Sequence, residues 1–133
     1  MGLILDTDVL IRAEKMTDPI DFGKWSHHGE AFISAITCSE LLVGVHLANT
    51  EARRLKRAAF VEGLLRVLPA LPFDIDVARV HAQLIASLPR NVTLGAHDLI
   101  IGATALRYGY PVLTGNVEDF QRMPGVTVID AMA

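Results

Sequence analysis

The sequence predicts an α/β fold on a mainly parallel sheet, and two observations support that prediction. Short apolar runs, such as 3–5 and 112–114, end abruptly in polar residues instead of alternating with them. This pattern is typical of strands that are buried on both faces, as in parallel sheets. Between the runs lie segments whose apolar residues recur at helical spacing, so strands and helices alternate as in βαβ units. Right-handed crossovers would then bring the ends of the strands to one edge of the sheet.

Composition limits the size and the class of the protein. With 133 residues and 51% hydrophobic content, the chain is long enough for one domain with a real core, so we expect a single domain over 1–133. The net charge of -3 argues against general electrostatic binding to nucleic acid but leaves room for a local basic patch. The one cysteine, Cys38, excludes an internal disulfide and a cysteine-rich zinc site. No apolar stretch approaches membrane-spanning length, so we expect a cytoplasmic protein without a membrane partner.

The first strand, 3–5, ends at Asp6, which would stand at the edge where ligands bind in open α/β sheets. Asp6 or Thr7 can cap a short helix that continues through Arg12 or beyond, because a side-chain oxygen at that place can accept a bond from an orphan amide. The sequence therefore predicts a strand, an acidic turn and a helix at the amino terminus.

The next elements run from a break at 18–19 to a second helix. Residues 20–30 could form a short helix that packs through its aromatic side chains. The apolar run 31–36 predicts the second strand. Thr37 and Glu40 have the spacing of a capping box, which predicts that the second helix begins there.

A helical hairpin is predicted after the second strand, with a stop and a new cap at 49–50 and a longer second helix through about Leu68. The inner stripe of that longer helix consists of Leu55, Ala58, Val61, Leu65 and Leu68. Its most basic cluster consists of Arg53, Arg54, Lys56 and Arg57. A solvated face is the simpler interpretation of this cluster, and RNA contact is the alternative.

An edge strand and an amphipathic helix follow the hairpin. The prolines around 71–74 allow at most a weak or edge strand there. The apolar stripe of the next helix consists of Val77, Val80, His81, Leu84, Ile85 and Leu88. His81 lies on that apolar side, so a hydrogen-bonded core histidine is the preferred interpretation over a catalytic one.

The last third of the chain predicts a buried helix over 96–107, in which Gly102 would let the helix approach the sheet closely. A buried strand at 112–114, a short helical turn at 117–120 and a final strand at 126–129 follow.

Acidic residues follow several of these strand ends. They are Asp6, Glu40, Asp98 and Asp119, with Thr114 and Asn116 beside the last. Each has a structural explanation by itself, because acids at helix starts complement the helix dipole and satisfy amides. Together they would repel one another, since two such charges at ~4 Å and an effective dielectric of ~20 cost roughly 4 kcal/mol. A bound cation would resolve that repulsion.

Oxygen ligation by carboxylates favours Mg²⁺ or Mn²⁺ over zinc, which prefers histidine and cysteine. A metal held in this way can activate water and polarise a phosphoryl oxygen, so hydrolysis of RNA or DNA fits the pattern. The sequence lacks a Walker-type phosphate loop, a GxGxxG motif and a nucleophile elbow, which argues against the chemistries that need them.

Four segments carry a family resemblance in the order in which they occur: 5–11 (LDTDVLI), 39–41 (SEL), 97–103 (HDLIIGA) and 114–120 (TGNVEDF). In this order they resemble the PIN domain family, and more narrowly the VapC toxins of bacterial toxin-antitoxin pairs. The resemblance implies a three-layer α/β/α sandwich on a mainly parallel sheet. It also implies a Mg²⁺- or Mn²⁺-dependent endoribonuclease that inhibits translation by cutting structured RNA.

By this resemblance, Asp6, Glu40 and Asp98 match the metal-binding acids of the family. Asp6 and Asp98 would bind the metal, with Glu40 and Asp119 binding directly or through water. Many relatives have an aspartate where this chain has Asn116, whereas Asp119 matches the acid of the Thr-x-Asn-x-x-Asp-Phe form. The choice of the fourth site residue stays open between these two.

The resemblance assigns supporting roles to Thr7, Thr114 and Asn116, and Asp8 occupies a position that varies in the family. It further implies a homodimer and a VapB-like antitoxin, whose carboxyl-terminal segment would cover the catalytic groove. Candidates for contact with RNA or antitoxin are Arg12, Lys15, Arg53, Arg54 and Arg57.

Two alternatives belong to other functional classes. A receiver domain of a response regulator also carries acids after its first strand, but it would need a lysine after the fifth strand, and no lysine follows Lys56. A PIN fold that only binds partners is the second alternative. The full set of acids argues against it.

Overall fold

The structure is a computed structural model that describes residues 1–16 and 21–133. The strands are β1 (Gly2–Leu5), β2 (Glu30–Ser34), β3 (Ala70–Leu71), β4 (Val112–Thr114) and β5 (Val128–Asp130). The α-helices are α1 (Thr7–Lys15), α2 (Ala35–His46), α3 (Glu51–Val67), α4 (Ile75–Ser87), α5 (Ala96–Tyr108) and α6 (Val117–Gln121), and a 3₁₀ helix spans Phe22–His28. Within the described ranges, no helix combines the length and apolar character that crossing a membrane requires.

The strands form one parallel sheet in the order β3-β2-β1-β4-β5. Side chains of β1 alternate between two cores, as the pleat of a strand requires. Leu3 and Leu5 pack with residues of α1, α2 and α3, whereas Ile4 packs with residues of α4 and α5. The predicted three-layer α/β/α sandwich is therefore confirmed.

The order of the strands creates a crevice beside β1. From β1 the chain moves outward through β2 to β3, and it then returns to the other side of β1 to form β4 and β5. The connections that leave β1 and β4 therefore diverge at the carboxyl edge of the sheet. In open α/β sheets such a switch point is where ligands bind, and Asp6 is the first residue after β1.

The second helix begins earlier than predicted. Helix α2 starts at Ala35, and its cap is Ser34, whose Oγ accepts a 3.2 Å hydrogen bond from the Ile36 amide. The predicted capping box at Thr37 and Glu40 is therefore wrong, since both residues lie inside the helix. The strand ends at the first side chain that can satisfy a helical amide, and that residue is Ser34. Glu40 is consequently not needed as a cap.

Asp6 occupies the N-cap position of α1, but its side chain makes no capping hydrogen bond. The prediction that Asp6 or Thr7 caps this helix through its side chain is therefore wrong. The Asp6 carboxyl bonds Thr114 on β4 instead, and Thr7 is already the first residue of the helix.

Gly102 lies against a side chain and not, as was predicted from the sequence, against the sheet. A Cβ placed on Gly102 would lie 2.4 Å from Met123 Sδ and 3.8 Å from Leu84 Cδ2. The glycine itself therefore makes room for the fully buried Met123 and not for a strand, although α5 does contact β1 and β2.

Two residues of the predicted apolar stripes are exposed. Leu55 on α3 is 56% exposed and Ile85 on α4 is 46% exposed, so both assignments to the core are wrong. Helical spacing places them at the margins of their stripes, where the packed helices no longer cover them. His81 is partly buried, and its ring packs edge-on against Phe73 with 5.5 Å between ring centroids.

The remaining elements agree with the sequence prediction, apart from small shifts at their ends. Thr50 caps α3 by accepting a 3.1 Å bond from the Arg53 amide, and β3 is an edge strand. The last strand starts at Val128, two residues later than predicted. The predicted break at 18–19 lies outside the described residues.

Candidate active site at the carboxyl edge of the sheet

Asp6 lies at the bottom of the crevice, immediately after the central strand β1. Its side chain is only 4% exposed, and Oδ2 accepts a 2.7 Å hydrogen bond from Thr114 Oγ1 at the end of β4. Thr114 Oγ1 in turn accepts a 2.8 Å bond from the Asn116 amide. This chain of hydrogen bonds ties the ends of two neighbouring strands together and fixes the carboxyl group of Asp6.

Burial raises the pKa of Asp6 from 3.8 to about 7, because the charged carboxylate is poorly solvated in the crevice. The hydrogen bond from Thr114 opposes this by stabilising the charged form, whereas the nearby carboxyl of Asp8 and the charge of Asp98 raise the pKa further. Without a cation, Asp6 is therefore partly protonated at neutral pH.

Glu40 reaches the same edge from the second turn of α2. Its Oε1 accepts a 2.7 Å hydrogen bond from Thr7 Oγ1, and Thr7 Oγ1 also lies 2.9 Å from the buried Thr37 Oγ1. On the other side, His97 Nδ1 lies 3.2 Å from Glu40 Oε2. Side chains from α1 and α5 thus contact both oxygens of the Glu40 carboxylate and limit its rotation.

Asn116 joins the two remaining acids. Its Nδ2 donates to Asp119 Oδ2 at 3.0 Å and lies 3.5 Å from Asp98 Oδ2. The two candidates for the fourth site residue, Asn116 and Asp119, therefore contact each other at the same edge. Burial raises the pKa of Asp98, as do the neighbouring charges of Glu40 and Asp119.

Asp8 contributes more to this edge than its variable position suggested. Gly115 N donates a 3.4 Å hydrogen bond to Asp8 Oδ1, so the side chain lies against the turn after β4. Repulsion from Asp8 also helps to raise the pKa of both Asp6 and Asp98. A helix that begins at the edge presents the acids of its first turn there, and this signal was available in the sequence.

The predicted basic contacts divide into two groups. Arg57 forms a 3.0 Å ion pair with Glu14 on α1 and donates to the Gly44 carbonyl at 3.1 Å, which joins α3 to α1 and α2. Arg53 donates to Asn49 at 2.8 Å, and Arg54 pairs with Glu51 in the first turn of the same helix.

Arg12 and Lys15 lie near different parts of the acidic edge. Lys15 lines a groove of about 170 Å³ that also includes Glu40 and Arg57. The guanidinium of Arg12 lies beside Gly115, at the turn that follows β4. The roles of these residues in binding stay predictions.

The acids provide only oxygen donors, which suit Mg²⁺ or Mn²⁺. Across residues 1–16 and 21–133, no three histidine, cysteine, aspartate or glutamate side chains converge closely enough to hold one ion. Mg²⁺ keeps several of its waters and is commonly held by one or two carboxylates. The chemistry of the donor set therefore suits a cation that two carboxylates hold and that keeps several of its waters.

The parallel sheet and the acidic crevice define a class of α/β domain that comparison with known proteins identifies. The chain belongs to the PIN domain family, whose profile matches residues 3–126. It is 42% identical over 130 residues to a Rickettsia felis protein named Ribonuclease VapC1, covering 97% of this chain and 96% of the relative.

Two further comparisons confirm the narrower resemblance to VapC proteins. A Salmonella typhimurium protein named tRNA(fMet)-specific endonuclease VapC is 35% identical over 99 residues, covering 74% of this chain and 73% of the relative. The crystal structure of DNA bound VapBC from Salmonella typhimurium matches with a TM-score of 0.84 and 30% identity, covering 98% of both chains.

Proposed function

We propose that the chain is a VapC-type toxin that hydrolyses phosphodiester bonds in structured RNA. The observation that carries the proposal is the meeting of Asp6, Glu40, Asp98 and Asp119 at one edge of the sheet, where burial and mutual repulsion raise the pKa of two of them. Acids held in this way favour a divalent cation, for which we propose Mg²⁺ or Mn²⁺. The relatives named ribonuclease and endonuclease support RNA as the substrate.

The residues of the chain would divide the work as follows. Asp6 and Asp98 would hold the cation, while Glu40 and Asp119 would contact it directly or through water. The bound cation would supply Lewis-acid stabilisation of the charge on the phosphate. Thr114 keeps Asp6 oriented by its 2.7 Å hydrogen bond.

Glu40 would orient a water molecule and accept its proton. Thr7 donates a 2.7 Å hydrogen bond to one oxygen of this carboxylate. The bond fixes the orientation of the carboxylate and leaves other lone pairs available as acceptors. Asn116 restricts the orientation of Asp98 and Asp119 in the same way, because its side-chain amide donates toward both carboxylates. A fixed carboxylate loses less conformational entropy when the substrate binds.

The proposal includes a partner that silences the enzyme. The solved complex from Salmonella typhimurium contains VapB together with VapC. We propose that a VapB-like antitoxin covers the acidic edge of this chain with its carboxyl-terminal segment, and that the toxin acts as a homodimer in the cytoplasm.

A nuclease assay on the purified, antitoxin-free chain tests the proposal. Structured RNA should be cut when Mg²⁺ or Mn²⁺ is supplied, cutting should stop with EDTA, and DNA of the same sequence should be cut poorly. Asp98→Asn should abolish cleavage. Asp76→Asn is the matched control, because Asp76 lies in the first turn of α4, as Asp98 does in α5, but pairs with Arg107.

Equal cleavage by Asp98→Asn and wild-type protein would reject the assignment of the site. A wild-type chain that binds RNA and never cuts it would favour the alternative of a PIN fold that serves only as a binding module.

A further inference from the structure

Two charged side chains, those of Asp8 and Arg12, lie close to the backbone of Gly115. A Cβ on this residue would lie 2.9 Å from Asp8 Oδ2 and 3.1 Å from both Cζ and Nη2 of Arg12. The φ angle of Gly115 is not positive, so backbone conformation does not require glycine here. The glycine is needed for space, and Arg12 occupies part of that space.

Arg12 lies one helical turn after Asp8, so the helix α1 presents both side chains on the same side. The residue is exposed, and Nη1 lies 2.8 Å from Met132 Sδ, which supports the guanidinium from the carboxyl-terminal end of the chain. None of the salt bridges formed within 1–16 and 21–133 includes Arg12. A cation therefore lies beside the acids while keeping donors available.

The candidate arginines of α3 differ from Arg12 in this respect. Arg57 is committed to Glu14 and Gly44, Arg54 to Glu51, and Arg53 to Asn49. Their guanidinium groups stabilise α3 and its contacts, so recruiting them for a ligand would break existing bonds. Among the side-chain bonds formed within the described ranges, Arg12 would give up only a weak bond to the thioether sulfur of Met132.

The acids create a need for such a cation. Asp6, Asp8 and Asp98 repel one another across the crevice, and the same charges repel a polyanion that approaches it. A guanidinium binds phosphate through two parallel N–H bonds and carries its charge at every physiological pH. Arg12 combines this chemistry with a position at the turn that separates β4 from Asn116.

We propose that Arg12 binds a backbone phosphate of the RNA beside the acidic edge, and that residue 115 is glycine so that the guanidinium can lie there. The proposal rests on the proposed ribonuclease function and adds the residue that holds the substrate strand. An acidic segment of a protein partner is the competing occupant, and the experiment below separates the two.

RNA binding in EDTA is the direct test, because it measures the contribution of Arg12 to RNA affinity whether or not the chain cuts RNA. Fluorescence anisotropy with a labelled structured RNA should give a Kd that rises roughly tenfold for Arg12→Ala, the effect of one lost charge-assisted contact. The slope of log Kd against log salt should also fall by about 0.7 to 1, as expected for one lost phosphate contact. Arg12→Lys should recover part of the affinity.

Arg79→Ala is the matched control, since it removes one exposed positive charge from α4 on the opposite face of the sheet. It should leave the Kd and its salt slope unchanged. Gly115→Ala provides a second variant, because its Cβ would displace the guanidinium. It should weaken RNA binding in the wild-type background and weaken it much less in Arg12→Ala, since coupled residues are not additive.

An unchanged Kd and salt slope for Arg12→Ala, in a protein whose melting is unaltered, would overturn the proposal. So would a variant that binds RNA normally and loses affinity for its antitoxin, because the guanidinium would then serve the protein partner. The two proposals can also fail separately. If the wild-type chain does not cut RNA but Arg12→Ala still weakens RNA binding as expected, the proposed function is wrong and Arg12 remains a phosphate contact.

Discussion

Thr114 donates a 2.7 Å hydrogen bond to the carboxyl group of Asp6, although the two residues are separated by 108 positions in the sequence. The bond crosses from the end of β4 to the end of β1 and joins two buried residues. The hydrogen bond holds the Asp6 carboxyl in place. The surroundings disfavour the charged form of this carboxyl, since burial raises the pKa of Asp6 to about 7. Several measurable properties depend on this arrangement.

The stability of the metal-free protein should depend on pH through Asp6. A pKa raised from 3.8 to about 7 in the folded state contributes stability that is fully present below about pH 4 and is lost as the pH rises through about 7. Asp6→Asn removes this loss, so the variant should exceed wild type in unfolding free energy at pH 8 by up to about 4 kcal/mol. Urea denaturation in EDTA at pH 5 and pH 8 measures the difference, which should shrink to about 2 kcal/mol at the lower pH, where the carboxyl has lost its proton in the unfolded chain but keeps it in the folded one. A difference that is the same at both values would contradict the proposed burial of charge.

Divalent cations should stabilise the folded chain, because they relieve repulsion among the acids. At pH 7.5, Mn²⁺ or Mg²⁺ should raise the melting temperature of wild type, and EDTA should reverse the change. Calorimetry should show weaker ion binding for Asp6→Asn and Asp98→Asn, and unchanged binding for Asp76→Asn. Equal ion binding by Asp6→Asn and wild type would remove Asp6 from the set of ligands.

Two helical glycines should respond in opposite ways to alanine. A Cβ on Gly102 would lie 2.4 Å from the sulfur of the buried Met123, so Gly102→Ala should destabilise the protein by roughly 1 to 3 kcal/mol. Gly63 on α3 has no atom within 4 Å of its Cβ position, so Gly63→Ala should stabilise the protein by roughly 0.5 to 1 kcal/mol. Chemical denaturation gives both values. A stabilising Gly102→Ala would mean that Met123 moves aside at little cost.

Arg57 should matter for stability more than Arg54 does. Arg57 is partly buried and joins α3 to Glu14 of α1 and to the Gly44 carbonyl of α2, so Arg57→Ala should cost roughly 1 to 2 kcal/mol. Arg54 pairs with Glu51 on the surface of one helix, and Arg54→Ala should change stability by less than about 0.5 kcal/mol. Thermal melts of the two variants compare them directly, and equal shifts would show that the bridge between helices contributes nothing.

The fold could be predicted because its signals are local. Buried strands read as short apolar runs, and the segments between them repeat at helical spacing, so the layers and the parallel sheet follow from periodicity and handedness. The start of α2 was missed because Ser34 and Thr37 are both acceptable caps in sequence. Only the end of β2 in three dimensions decides between them.

The placement of Asp6, Asp98 and Asp119 at one edge could also be predicted, since each follows a strand or lies in the first turn of a helix there. Glu40 reaches the same edge from the second turn of α2. Their partners could not be predicted. The contact of His97 with Glu40 and the bond from Thr7 to the same carboxylate depend on how α1, α2 and α5 are rotated, and no local pattern encodes that rotation.

The placement of β1 between β2 and β4 has a consequence for the synthesis of the protein. Asp6 is made almost at once, but the strand that supplies its hydrogen-bond donor is among the last elements to be translated. Pairing between such distant segments forms late, after the intervening helices are available to cover the sheet. A nascent chain that still lacks β4 therefore has neither the donor that orients Asp6 nor the turn that carries Asn116 and Asp119.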